Sequence, residues 1–109
     1  MITIEKYYND HDKLCGFHTD GHAEFADAGE DVVCAAVSAL VLNAVNSIES
    51  FTEDHIVCTA SEDGGLIDFR IHSAVSHESE ILLNSLFLGL EAVRDAYGEQ
   101  YGREFIDII

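Results

Sequence analysis

Apolar and polar residues alternate over residues 1–8, with Ile2 and Ile4 on one face, and this period of two predicts a strand. Asn9-Asp10-His11-Asp12 reads as a polar turn. Residues 13–20 then set Leu14, Gly16 and His18 against Cys15, Phe17 and Thr19, as a hairpin partner of the first strand. Gly16 inside that strand marks a bulge or a close backbone approach. Residues 21–30 read as a loop of glycines, alanines and acids. From Asp31 the period lengthens, and Val33, Val37, Leu40, Val41, Ala44, Val45 and Ile48 predict a helix to about Ser50. This segment is apolar on nearly every face, so it is expected in the middle of the domain. Residues 55–61 and 66–72 alternate again around Glu62-Asp63-Gly64-Gly65, the clearest hairpin in the chain.

A second helix is predicted over Val75–Tyr97, with Ile81, Leu82, Leu86, Leu90 and Val93 toward the core and Gly98 as its terminator. Leu83, Phe87 and Leu88 fall off that stripe and predict an exposed apolar patch of the kind a homodimer seam uses. Residues 101–109 suit a final strand. The order ββ-α-ββ-α-β predicts an α+β fold, a mostly antiparallel sheet with two packed helices, as one domain over residues 1–109.

Composition narrows the partners. Five Lys and Arg face twenty-one Asp and Glu, a net charge of −16. Such a field repels nucleic acid and anionic membrane and attracts a basic partner; acidity that only keeps the chain dispersed is the other reading. The N-terminus lacks the basic and apolar regions of a signal peptide. The apolar stretch Val32–Val45, broken by Ser38 and Asn43, reads as too short to span a bilayer. A cytoplasmic protein is expected. Cys15, Cys34 and Cys58 form no C-x-x-C pair, which fits reduced thiols.

The chemistry gathers at residues 21–38. With Asp31 as N-cap, Cys34 occupies the third helical position, near the unsatisfied N–H groups and the positive end of the helix dipole. Both favour the thiolate, and an imidazolium at His22, folding back across the loop, favours it further. The Asp31 carboxylate opposes a thiolate, so its expected service is capping or orienting His22. Ser38 lies one turn beyond Cys34 on the same face. The first-turn N–H groups offer an oxyanion hole. Against this stands the ordinary fate of a thiol in an apolar helix, which is burial as a small hydrophobe. A zinc site from His18, His22 and Cys34 lacks an evident fourth ligand, so no metal is expected. Cys15 and Cys58 read as packing residues. A redox sensor would need a resolving cysteine near Cys34, and only Cys15 is close in sequence.

The run Gly21-His22-Ala23, Gly29, Asp31, Val33-Cys34-Ala35-Ala36 and Ser38 resembles the signature of the bacterial ribosomal-processing cysteine protease family (Prp, or YsxB-like). Length and element order match that family along the whole chain. The resemblance implies Cys34 as nucleophile and His22 as general base and acid, with Gly21, Asp31 and Ser38 supporting the site. It implies a small α+β homodimer without metal or organic cofactor. The implied activity removes an N-terminal extension from the large-subunit ribosomal protein whose N-terminus reaches the peptidyl transferase centre. Such a precursor is basic, which suits this acidic chain. Glu24, Asp27, Gly29 and Glu30 then belong to a substrate loop beside the site. A non-catalytic acidic assembly factor for a basic ribosomal protein is the alternative.

Overall fold

The computed structural model describes residues 1–21, 29–63 and 65–109. The elements run β1 (Ile2–Tyr8), β2 (Leu14–Asp20), α1 (Glu30–Phe51), β3 (Ile56–Ala60), β4 (Leu66–Ile71), α2 (His77–Tyr101) and β5 (Ile106–Ile108). The strands form one five-stranded sheet in the order β3-β4-β2-β1-β5. Every pairing is antiparallel except β1 with β5. The α+β fold and the element order are those expected. Each helix joins two strands that run the same way, α1 from β2 to β3 and α2 from β4 to β5, so both cross over one face of the sheet.

That face carries the core. Ile2 and Ile4 of β1, Phe17 of β2, Phe69 and Ile71 of β4 and Ile106 of β5 pack against Val33, Val37, Val41, Ala44 and Ile48 of α1 and Leu83, Leu86, Phe87 and Leu90 of α2. Phe17 stacks on Phe69, with ring centroids 5.3 Å apart, and meets the edge of Phe87. A side chain at Gly16 would collide with the Phe69 carbonyl, so the predicted close backbone approach is present there.

Several expectations change. The second helix starts two residues later and ends four later than Val75–Tyr97, because Ser76 caps it by accepting from the Ser79 N–H. Its left-handed C-cap is Gly102, whose N–H bonds the Gly98 carbonyl; Gly98 itself lies inside the helix. The stripe is also rotated. Ile81 is 53% exposed, whereas Leu83 and Phe87 are buried, so of the predicted patch only Leu88 faces outward. The final strand shortens to three residues.

The first helix is not enclosed. It buries one stripe and leaves Ala35, Ser38, Ala39, Leu42 and Asn43 exposed, because a sheet of five strands carries two helices side by side and each keeps an outer flank. With 22 residues and a mean hydropathy of 1.7 over its most apolar window, α1 is, contrary to the sequence expectation, long and apolar enough to cross a membrane by length and composition. Cys58 of β3 faces the helix side yet is exposed, so it is not a packing residue; Cys15 is buried as expected.

The opposite sheet face is polar. Asp68 accepts from the Tyr7 hydroxyl at 2.7 Å and from Arg70 Nε at 3.1 Å, with His18 Nδ1 at 3.0 Å. The Arg70 guanidinium lies over the Tyr7 ring, 3.9 Å from its centroid.

Candidate active site

Two glycines frame the segment between β2 and α1. Gly21 follows β2 with φ 109°, and a Cβ there would stand 2.5 Å from the Met1 carbonyl oxygen. Its N–H donates to the Gly65 carbonyl. Gly29 is the N-cap of α1 with φ 92°, and a Cβ there would press within 2.8 Å of the Tyr101 ring and 3.0 Å of Phe105. Both positions sit in the left-handed region that L side chains avoid. Both also lack room, so the chain enters and leaves residues 22–28 through glycine-only corners. His22, Glu24 and Asp27 lie outside the described residues.

The helix begins at Glu30, two residues before the expected start, and Gly29 replaces Asp31 as N-cap. The Asp31 carboxylate instead accepts from the neighbouring Val32 N–H at 2.9 Å. Cys34 is therefore the fifth helical residue, not the third. The first helical hydrogen bond is from Val33 to the Gly29 carbonyl, so the N–H groups of Glu30, Asp31 and Val32 precede the ladder. A helical side chain leans back over the turn before it, which carries the Cys34 sulfur toward that polarised end.

Cys34 is half-buried and stands between two clefts. One is lined by Met1, Ile2, Glu30, Val33, Arg103, Glu104 and Phe105. The other lies between α1 and the sheet and is lined by Ile2, Thr19, Gly21, Val37, Ser38, Val41 and Ile67. The second cleft is almost free of charge, while the first has an apolar floor and a charged rim. Ser38, one turn past Cys34, is exposed at the edge of the second cleft.

The charged rim is tied together. Arg103 Nη2 donates to Glu30 Oε1 at 2.7 Å, and the same guanidinium lies 4.8 Å from the Phe105 ring centroid. Tyr101 meets Phe105 edge to face. The connection from α2 to β5 is thereby fastened to the first residue of α1. Sequence reading missed Met1, Ile2, Arg103 and Phe105 at this site. Nothing local marks them, since they arrive by strand pairing and a contact spanning 73 positions. Of the zinc candidates, His18 is turned to the other face of the sheet and bonds Asp68. Among the described residues no group of three His, Cys, Asp or Glu side chains is placed to hold a metal. Chemically, the arrangement sets a thiol between an apolar cleft and a charged one.

Known proteins show the same chain layout. The family model described as cysteine protease Prp matches residues 1–102. The ribosomal processing cysteine protease Prp of Staphylococcus aureus is 29% identical over 99 residues, covering 91% of this chain and 93% of that protein. The protein of the same name from Bacillus subtilis is 33% identical over 92 residues, covering 80% and 82%. Two crystal structures of the S. aureus protease superpose on this fold. The complex with a covalently linked product peptide has a TM-score of 0.82 at 28% identity, covering 99% of this chain and 97% of the other. The complex with a substrate peptide has a TM-score of 0.83 at 27% identity, covering 100% and 98%. With its whole sheet and both helices matched and the family pattern running through the segment that carries Cys34, this chain belongs to the cysteine protease Prp family.

Proposed function

We propose that this protease removes an N-terminal extension from a large-subunit ribosomal protein precursor, the one whose N-terminus reaches the peptidyl transferase centre, with Cys34 as nucleophile and His22 as general base and acid. The observation that carries the reading is the position of Cys34, half-buried early in α1 where two clefts meet. The curated relatives are named for ribosomal processing, and the S. aureus protease has been crystallised with a substrate peptide and with a covalently linked product peptide. A charge of −16 suits a basic precursor and disfavours direct nucleic-acid binding. Gly21, Asp31 and Ser38 support the site, and Glu24 and Asp27, with Gly29 and Glu30 at the start of α1, contact the peptide. The setting is cytoplasmic and the working unit a homodimer. A non-catalytic holder of ribosomal protein is set aside by membership of a protease family.

The reaction is covalent. The Cys34 thiolate attacks the scissile carbonyl while first-turn N–H groups of α1 hold the oxyanion. The C–N bond breaks as His22 protonates the leaving amine, and a thioester remains on Cys34. Water, deprotonated by His22, then attacks the thioester and releases the carboxylate product with return of the thiol. No metal or organic cofactor enters. The test is to incubate the protein with the ribosomal precursor and weigh the products. Wild-type protein yields two fragments and Cys34→Ala yields none. Full processing by Cys34→Ala would overturn the assignment.

A further inference from the structure

Glu30 and Cys34 are four residues apart on α1, the spacing that stacks side chains on one helical face. Both line the same cleft. An ionised carboxylate in that position opposes the thiolate that cysteine chemistry needs, because like charges one turn apart disfavour each other. The Glu30 side chain is only 19% exposed, so water screens it weakly. Cysteine chemistry at Cys34 therefore requires that this carboxylate be masked.

The mask is present. Arg103 reaches from the connection between α2 and β5 and donates to Glu30 Oε1 at 2.7 Å, while its guanidinium also covers the face of Phe105. The other charged side chains around Cys34 among the described residues are Asp31 on α1 and Glu104 beside Arg103. Both are acidic and both are exposed. Met1, which also lines the cleft, carries the N-terminal ammonium, and Arg103 is the one cationic side chain of the described lining. Its chain position is also fixed. It directly follows the left-handed C-cap Gly102, and its own N–H donates to the Gly98 carbonyl at 3.2 Å.

We propose that Arg103 is a positioning residue for the cysteine chemistry: by pairing with Glu30 it neutralises a carboxylate one helical turn before Cys34 and so preserves the reactive thiolate. The proposal rests on Cys34 being the nucleophile. A purely structural pin would make the same contacts, and the two roles differ in the sign of one experiment. If Arg103 only fastens the α2–β5 connection to α1, removing Glu30 as well gives a protein as impaired as Arg103→Gln alone. If Arg103 masks a charge, removing Glu30 repairs it.

The test measures the alkylation rate of Cys34 by iodoacetamide at neutral pH, by peptide mass, in the full chain. Arg103→Gln is expected to slow alkylation about threefold to tenfold, the range a half-buried like charge imposes. The double variant Glu30→Gln/Arg103→Gln is expected to return to within about twofold of the wild type, since the opposing charge has left with its mask. Arg103→Lys keeps the charge and retains most of the rate. Glu30→Gln alone leaves the cation beside the sulfur and is at least as reactive as the wild type. A double variant as slow as Arg103→Gln would overturn the proposal, as would unchanged alkylation in Arg103→Gln. Failure of the nucleophile assignment reads out separately, as precursor cleavage that survives Cys34→Ala.

Discussion

The hydroxyl of Ser79, fully buried at the start of α2, donates a 2.6 Å hydrogen bond to the carboxylate of Asp54 in the connection from α1 to β3. The same carboxylate oxygen accepts from both the N–H and the Oγ of Ser76. One side chain therefore joins the exit of the first helix to the entry of the second. Burial by itself raises the Asp54 carboxyl, but the hydrogen bonds from Ser79 and Ser76 outweigh it, and the group titrates below its ordinary value of 3.8. A depressed carboxylate contributes stability that is fully present above the unfolded value and disappears as pH falls through the folded one. Asp54→Asn and Ser79→Ala should each cost about 1–3 kcal/mol at neutral pH. The Asp54→Asn deficit should shrink as the pH is taken well below the ordinary value of 3.8. Urea unfolding at the two pH values checks this; a deficit that does not change with pH contradicts the assignment.

Gly29 should not tolerate a side chain. Gly29→Ala must hold a Cβ in the left-handed region and push it into Tyr101, and is expected to lose about 1–3 kcal/mol together with most cleavage activity. Adding Tyr101→Ala removes the closest contact but neither the 3.0 Å approach to Phe105 nor the backbone strain, so it recovers only part of the loss. Complete recovery in the double variant would show that packing alone demands the glycine.

The three thiols should separate by alkylation. Cys34 opens on two clefts and is expected to react first at neutral pH. Cys58 is exposed, but partial desolvation and the carboxylates of Asp68 and Glu49 push its thiol above the ordinary value of 9.0. Its labelling should stay slow at neutral pH and accelerate only in more alkaline buffer. Burial pushes Cys15 up, and it should label only on unfolding. Faster labelling of Cys58 than of Cys34 at neutral pH would contradict this order.

The polar cluster on the far face of the sheet should matter for stability and not for cleavage. Burial raises the Asp68 carboxyl, and hydrogen bonds from Tyr7, His18 and Arg70 bring it below its ordinary value. Asp68→Asn should cost about 1–2 kcal/mol, because it weakens charge-assisted bonds. The cluster sits on the opposite side of the sheet from Cys34. The rate of precursor cleavage well below the unfolding midpoint should therefore match the wild type, and a specific fall in that rate would show the two faces to be coupled.

Much of this molecule is readable along the chain because its elements obey simple periods. Ile2 and Ile4 alternate, and the α1 stripe Val33, Val37, Val41, Ala44 and Ile48 repeats at helical spacing. The errors share a cause. In α2, Ile81, Leu82 and Leu83 are consecutive, so hydrophobicity alone does not say which of them faces the sheet. Packing against the sheet, with Phe87 edge-on to Phe17, buries Leu83 and Phe87 and leaves Ile81 outside. At the start of α1, Asp31 has the composition of a cap, but the tight turn at Gly29 starts the helix earlier and shifts Cys34 by two positions. The site was legible only in its local half. Cys34, Ser38 and the two glycines lie within one continuous run, whereas Arg103 and Phe105 come from the other end of the chain and carry no spacing that points to α1.

The position of Met1 bears on how the protein should be handled at the bench. Met1 lines the cleft beside Cys34, and its carbonyl lies where a Gly21 side chain would go. An affinity tag fused ahead of it would begin at the rim of that cleft and compete for its space. Ile109 pairs with β1 beside Ile4 and Lys6, further along the sheet edge from that rim. A purification handle is better placed after Ile109.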